Sequence, residues 1–221
     1  MNIPIQEFIW KFGTALGLLA ILDFGCYKTR ARYFTLHGIW NILISSLIIP
    51  DLFKFIMDPL GPSQDATQWP GIFVAAIHFW HCIAYSGLTW DDYFHHIVFA
   101  TTLTSANFIW DWGYGANFLI FFICGLPGGL DYIMLACVKH GYLSKIKEKR
   151  WNRYLNTWIR SPGCIASACS IWVNWMAGNT NHIPVLVKIV MILLVISNGQ
   201  YYSSRVTASW AIHEHKLSCS K

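Results

Sequence analysis

Seven apolar stretches, roughly 8–27, 33–57, 70–89, 94–110, 113–138, 163–177 and 184–204, dominate a chain of 221 residues. A helix needs about 20 residues to cross the hydrocarbon core of a bilayer, so seven crossings would take about 140 positions. About 80 positions are left for every loop and both tails, and no room is expected for a separate soluble domain. Only 12% of the residues are charged, against about 25% in soluble globular proteins. A soluble enzyme is therefore disfavoured. Twelve Trp, ten Tyr and fourteen Phe suit a protein that presents aromatic girdles at two membrane interfaces.

The basic residues set an orientation. With the N-terminus outside, alternation puts segments 28–32, 90–93, 139–162 and 205–221 on the cytosolic side, with three, none, seven and three Lys or Arg, thirteen of the sixteen in the chain. The opposite segments 58–69, 111–112 and 178–183 hold none, and Asp58, Asp65 and Asp111 lie there. This is the positive-inside pattern for an odd number of spans. Nucleic-acid binding is disfavoured, because the basic clusters separate apolar runs instead of covering one face. The seven cysteines, at 26, 82, 124, 137, 164, 169 and 219, make no CxxC pair and read as free thiols without a disulfide framework or zinc site.

The stretches differ in character. Lys11 and Asp23 bracket the first, a length that also suits a signal-peptide core. No basic region precedes it and no small-x-small site follows it, so a retained helix is expected. The fourth carries His95, His96, Thr101, Thr102, Thr104, Ser105 and Asn107, too polar to face lipid all round. The fifth contains Gly125, Pro127, Gly128 and Gly129 before Asp131, a run that predicts a kinked or unwound helix. Gly163, Ala166, Ser167, Ala168 and Ser170 give the sixth a small face for close packing.

Counting depth at 1.5 Å per residue converges polar groups on the cytosolic half of the bilayer. His37 and Asn41 fall about 6 and 12 Å inside one helix end, Tyr85 and His81 at about the same two depths on the next helix, and Asp131 about 11 Å deep. His95 and His96 lie near the cytosolic mouth, Asn198 and Gln200 share the layer, and His78 and His182 are expected elsewhere. Asp91 and Asp92 precede His95 and His96 by four residues each, the spacing at which side chains meet on one helical face. A carboxylate on one ring nitrogen would raise the basicity of the other, which suits a general base or an acyl-accepting histidine. A helix N-cap with interfacial histidines is the simpler alternative. A histidine-rich metal site is the third reading. The basic segment from Lys139 to Arg160 serves as topology signal and headgroup contact, and would also attract a phosphorylated cosubstrate such as coenzyme A.

The run Arg32-Tyr33-Phe34-Thr35-Leu36-His37, the segment Asp91-Asp92-Tyr93-Phe94-His95-His96, and Gly115 and Asp131 before the basic segment resemble the TLC superfamily, which includes ceramide synthases and translocation-associated and CLN8-like membrane proteins. The resemblance spans about residues 30–205. It implies an all-α polytopic membrane protein of about seven transmembrane helices, with one N-terminal helix and linker (1–29), a six-helix bundle around a lipid-sized cavity (30–205) and a cytosolic tail (206–221). From the ceramide-synthase branch it implies transfer of an acyl chain from acyl-CoA to a sphingoid base, with His95, His96 and Asp131 catalytic; the polar layer counted above puts His37, Asn41, His81, Tyr85 and Asp92 around the substrate. Where that branch carries a further aspartate, this chain has Gly128.

The expected function is thus a protein of the endoplasmic reticulum or a related endomembrane that binds a long-chain lipid, with the N-terminus lumenal and the C-terminus cytosolic. It would hold no tightly bound cofactor or metal and take acyl-CoA as cosubstrate. Its partners would be membrane lipids and the sphingoid base, with no nucleic acid; a homodimer is compatible with this reading. A non-enzymatic lipid sensor, membrane-composition regulator or cargo receptor is the alternative of a different class. A metal-dependent lipid oxidase is the third.

Overall fold

The computed structural model describes residues 3–61, 65–87 and 89–219. Pro62, Ser63 and Gln64 of the expected outer segment, and Lys221 of the tail, lie outside the described residues. Those described form helices and connecting turns with no strand. In chain order the α-helices are α1 (Ile5–Cys26), α2 (Arg32–Met57), α3 (Trp69–Ala84), α4 (Trp90–Phe94), α5 (Thr102–Ile109), α6 (Tyr114–Ile120), α7 (Leu126–Lys139), α8 (Lys145–Leu155), α9 (Ser161–Met176) and α10 (Val185–Ser218). Four helical runs, Ile5–Cys26, Arg32–Met57, Tyr114–Lys139 and Val185–Ser218, are long and apolar enough to cross a membrane. These are the lengths and compositions of an integral membrane protein. Their outward faces carry large exposed apolar side chains, such as Ile21, Phe24, Phe53 and Leu186.

Three π-helical segments join α-helices without a break: His95–Thr101 between α4 and α5, Phe121–Gly125 between α6 and α7, and Asn156–Arg160 between α8 and α9. Two have a cause legible in the sequence. Pro127 and Pro162 have no N–H to donate four residues back, to Ile123 or Trp158. The backbone answers by widening one turn, so that Leu126 N–H donates to the carbonyl of Phe121 and Ser161 N–H to that of Asn156, five residues back. Of the kink or unwinding expected for the glycine-proline run, unwinding does not occur: the fifth apolar stretch stays helical and passes through a widened turn. In the first π segment no proline intervenes. There the Thr101 and Thr102 hydroxyls donate to the carbonyls of His96 and Ile97, at 2.7 and 3.4 Å.

Other boundaries differ from expectation for local reasons. The third helix stops at Ala84, not near 89: Tyr85 is extended, Gly87 takes φ +81°, and Thr89 opens α4 as an N-cap. The basic segment 139–162 is no loop, since Lys145–Leu155 is helical and runs on into α9. Nor does the last helix end at 204. It continues to Ser218 because its polar end packs on α8, through Lys149 to Ser209 at 2.8 Å, Arg150 to Glu214 at 3.2 Å, and the Arg153 guanidinium 3.9 Å from the Trp210 ring.

Packing centres on α2, which crosses α7, and on α9 against α10. A Cβ on Gly129 would stand 3.2 Å from the Ile42 backbone nitrogen, and one on Gly38 3.2 Å from that of Ile133. Side chains here would force the two helices apart. α1 belongs to the same body. Asp23, 2% exposed, accepts from Arg32 Nε at 2.7 Å, Trp80 Nε1 at 3.0 Å and the Tyr85 hydroxyl at 3.2 Å. Lys11 reaches Gln68 at 3.0 Å. The two charges that bracket the first apolar stretch are thus tertiary anchors.

Candidate functional site

The bundle holds a partly open cavity of about 570 Å³, within the range of small-molecule sites. Val74 and Ile77 of α3, Phe99 and Leu103 on the α4–α5 run, and Leu119 and Ile123 on the α6–α7 run form its apolar wall. Its polar wall holds His37, Asn41, His78, His81, His95, His96, Asp131, Tyr132, Arg160, Asn198 and Tyr202, with Thr89, Asp91, Asp92 and Arg205 also in the lining. Each π-helical segment contributes: His95, His96 and Phe99 from the first, Ile123 and Cys124 from the second, Arg160 from the third. A widened turn shifts the facing of the residues after it, a device common at functional sites.

Of the residues singled out from sequence, His37, Asn41, His81, Asp92, His95, His96 and Asp131 all line this cavity. Tyr85 does not; its hydroxyl serves Asp23. Gln200 donates to Ser161 Oγ at 2.9 Å. His182, as expected, lies apart, on the Asp111 carbonyl at 2.9 Å. His78 is a correction: it joins the polar wall, because α3 turns it toward the first π segment.

Of the two readings of the Asp91–Asp92 pair, the helix cap is the one that forms, and neither carboxylate bonds a histidine among the described residues. Asp92 is the N3 residue of a capping box, its Oδ2 accepting from Thr89 N and Oγ1, both at 2.7 Å. Asp91 pairs with Arg205 at 2.9 Å. Asp131 accepts from Asn152 Nδ2 at 2.6 Å, so His95 and His96 are not its partners. The cap satisfies the helix terminus and leaves the histidines to one another.

That network is directional. The Val74 carbonyl can only accept, so His78 donates to it through Nδ1 at 2.7 Å, and the neutral ring presents Nε2 as an acceptor. His95 Nε2, 3.1 Å away, must then carry the proton. Its Nδ1 is left to accept from the Tyr202 hydroxyl at 3.0 Å. Both nitrogens of His95 are therefore engaged. His96 Nε2 meets His81 Nδ1 at 3.0 Å, and among the described residues its Nδ1 has no hydrogen-bond partner. His37 donates from Nδ1 to the Tyr33 carbonyl at 2.8 Å, which keeps the lone pair on Nε2. The adjacent histidines are thus chemically unlike: His95 is held from both sides, and His96 has a free ring nitrogen.

A second polar ladder runs from α8 into the third π-helical segment. Asn152 donates to Asp131, Asn156 Nδ2 donates to Asn152 Oδ1 at 2.6 Å, and Arg160 Nη1 donates to Asn156 Oδ1 at 3.0 Å. Reading 139–162 as topology signal hid these residues. Their spacing at 152, 156 and 160 was the available clue, since it puts all three on one helical face. No group of three or more His, Cys, Asp or Glu side chains among the described residues is placed to hold a metal ion.

Comparison with protein-family models, curated proteins and solved structures finds no match.

Proposed function

We propose that this is a multi-pass membrane protein of seven spans that binds a long-chain lipid in its interior cavity, with its polar wall in the cytosolic half of the bilayer. The observation that carries this reading is the cavity itself: an apolar wall joined to a wall of histidine, arginine and tyrosine, in a bundle with an apolar exterior. An amphiphile has that polarity, with a chain for one wall and a head for the other. Three helical runs that pass unbroken through a π segment, and the thirteen basic residues on one side, support the span number and orientation. The resemblance to TLC proteins agrees with this function. Mass spectrometry of lipids retained by the purified protein tests it: a long-chain lipid in near-stoichiometric amount is expected, and a protein that neither retains nor takes up any long-chain lipid would overturn it.

A second reading, acyl transfer, is favoured by the unequal histidines. A ring nitrogen with a base in hydrogen-bond reach is the usual form of an activated nucleophile, and His96 with His81 has that form. The acyl carbon of a thioester would bond to His96 as the C–S bond breaks and the thiolate takes up a proton. A sphingoid amine would then displace the imidazole and lose a proton as the amide forms. Incubation with a long-chain acyl-CoA and a sphingoid base should yield amide that His96→Ala abolishes. Protein that binds acyl-CoA yet forms no amide is a lipid-binding protein only.

A further inference from the structure

Arg160 is 8% exposed and lines the cavity. Among the described residues it belongs to none of the ion pairs. One terminal nitrogen, Nη1, is committed to Asn156, itself fully buried. Its Nε has no hydrogen-bond partner, and no donation from Nη2 occurs among the described residues. The vacant edge is the one with which Arg32 holds Asp23 through two bonds elsewhere in this molecule, at 2.7 and 2.5 Å. A guanidinium withdrawn from water without a counter-charge is costly, and within a membrane such a group faces a cavity or a partner. Nε is covered by protein while Nη2 keeps some accessible surface, so the edge meets the cavity through Nη2. A Cβ at Gly128 would stand 3.8 Å from Nη2, and the Tyr202 ring lies 5.4 Å from the guanidinium carbon. Asn198, one helical turn before Tyr202, is 2% exposed, lines the same cavity, and its Oδ1 has no partner. Asp131, linked to Arg160 through Asn152 and Asn156, accepts from Asn152 through Oδ1 and makes no ion pair with Arg160 among the described residues.

We infer that Arg160 is the anchor for an oxyanion, the carboxylate or phosphomonoester head of a single-chain lipid whose tail fills the apolar part of the cavity. The inference rests on the lipid-binding reading above and adds the charge of the head. Two oxygens on one carbon or phosphorus match the guanidinium fork, where a hydroxyl or ammonium head cannot. The Asn152–Asn156–Arg160 ladder holds the fork in place before the ligand arrives.

The experiment measures binding of palmitate, lysophosphatidate, hexadecanol and inorganic phosphate to the full chain in detergent micelles, by competition against a fluorescent fatty acid. Palmitate or lysophosphatidate should bind at least about tenfold more tightly than hexadecanol, the scale of a lost charge-assisted hydrogen bond. Whichever is preferred identifies the head, and phosphate alone should compete weakly, because the tail supplies much of the affinity. Arg160→Gln should remove the preference while leaving hexadecanol binding within about twofold. Arg160→Lys, which keeps the charge but not the fork, should retain part of it. Equal affinity of wild-type protein for acid and alcohol would overturn the inference and leave the lipid-binding reading standing, and it requires no variant to fold. Failure to bind any of the three chains would overturn the lipid-binding reading and this inference with it.

Discussion

The Nε2 atoms of His78 and His95 lie 3.1 Å apart, bridging α3 and the first π-helical segment. Because His78 is bound at its other nitrogen to a carbonyl, this contact determines the tautomer of both rings and assigns the Tyr202 hydroxyl the role of donor. Tyr202→Phe removes that donor and leaves His95 Nδ1 without one. The expected cost is about 1–3 kcal/mol, the penalty for an orphaned acceptor, read as a lower Tm in micelles. No change in Tm would mean that Tyr202 does not secure His95.

Asp131 offers a separable test. Asp131→Leu removes the closer of the two acceptors of the Asn152 amide, leaving Glu148 Oε1 at 3.3 Å, and should destabilise the protein by about 1 kcal/mol or more. Asp131→Asn keeps an acceptor oxygen and should cost less than about 1 kcal/mol. Equal destabilisation by both would show that the negative charge, not the hydrogen bond to Asn152, secures this part of α7.

The attachment of α1 depends on one carboxylate. Asp23→Leu leaves the Arg32, Trp80 and Tyr85 donors without their acceptor, and about 3 kcal/mol of stability should be lost, as when one member of a buried ion pair is removed. Cys26, 6% exposed near the end of the same helix, should then react faster with a thiol reagent, followed by peptide mass spectrometry. Unchanged labelling would mean that α1 is held by its apolar contacts alone.

The proposed orientation predicts the fate of glycan-acceptor cassettes. One inserted in segment 58–69 should be modified in microsomes, and one appended after the C-terminus should not. The reverse pattern would invert the orientation and move the polar wall to the other half of the bilayer.

What the sequence determined by itself was the solvent for which this chain is built, and which polar residues could not face it. Long apolar runs, the scarcity of charge and the one-sided Lys and Arg are properties of composition along a line, and helical depth is linear in residue number. Counting therefore brought His37, Asn41, His81, His95, His96 and Asp131 to one layer. Which of them touch is a matter of rotation about each helix, and that was decided only in three dimensions. Three widened turns, two before prolines and one supported by threonine hydroxyls, offset the 3.6-residue phase on which spacing rules depend. The i, i+4 partnership of Asp91 and Asp92 with the histidines gave way to a capping box and a pair with Arg205, because the helix terminus and α10 offered those carboxylates other partners. Arg160 and Tyr202 counted, in sequence, as a topology signal and an aromatic. Their place beside the histidines comes from the packing of α8, α9 and α10, which no local pattern records.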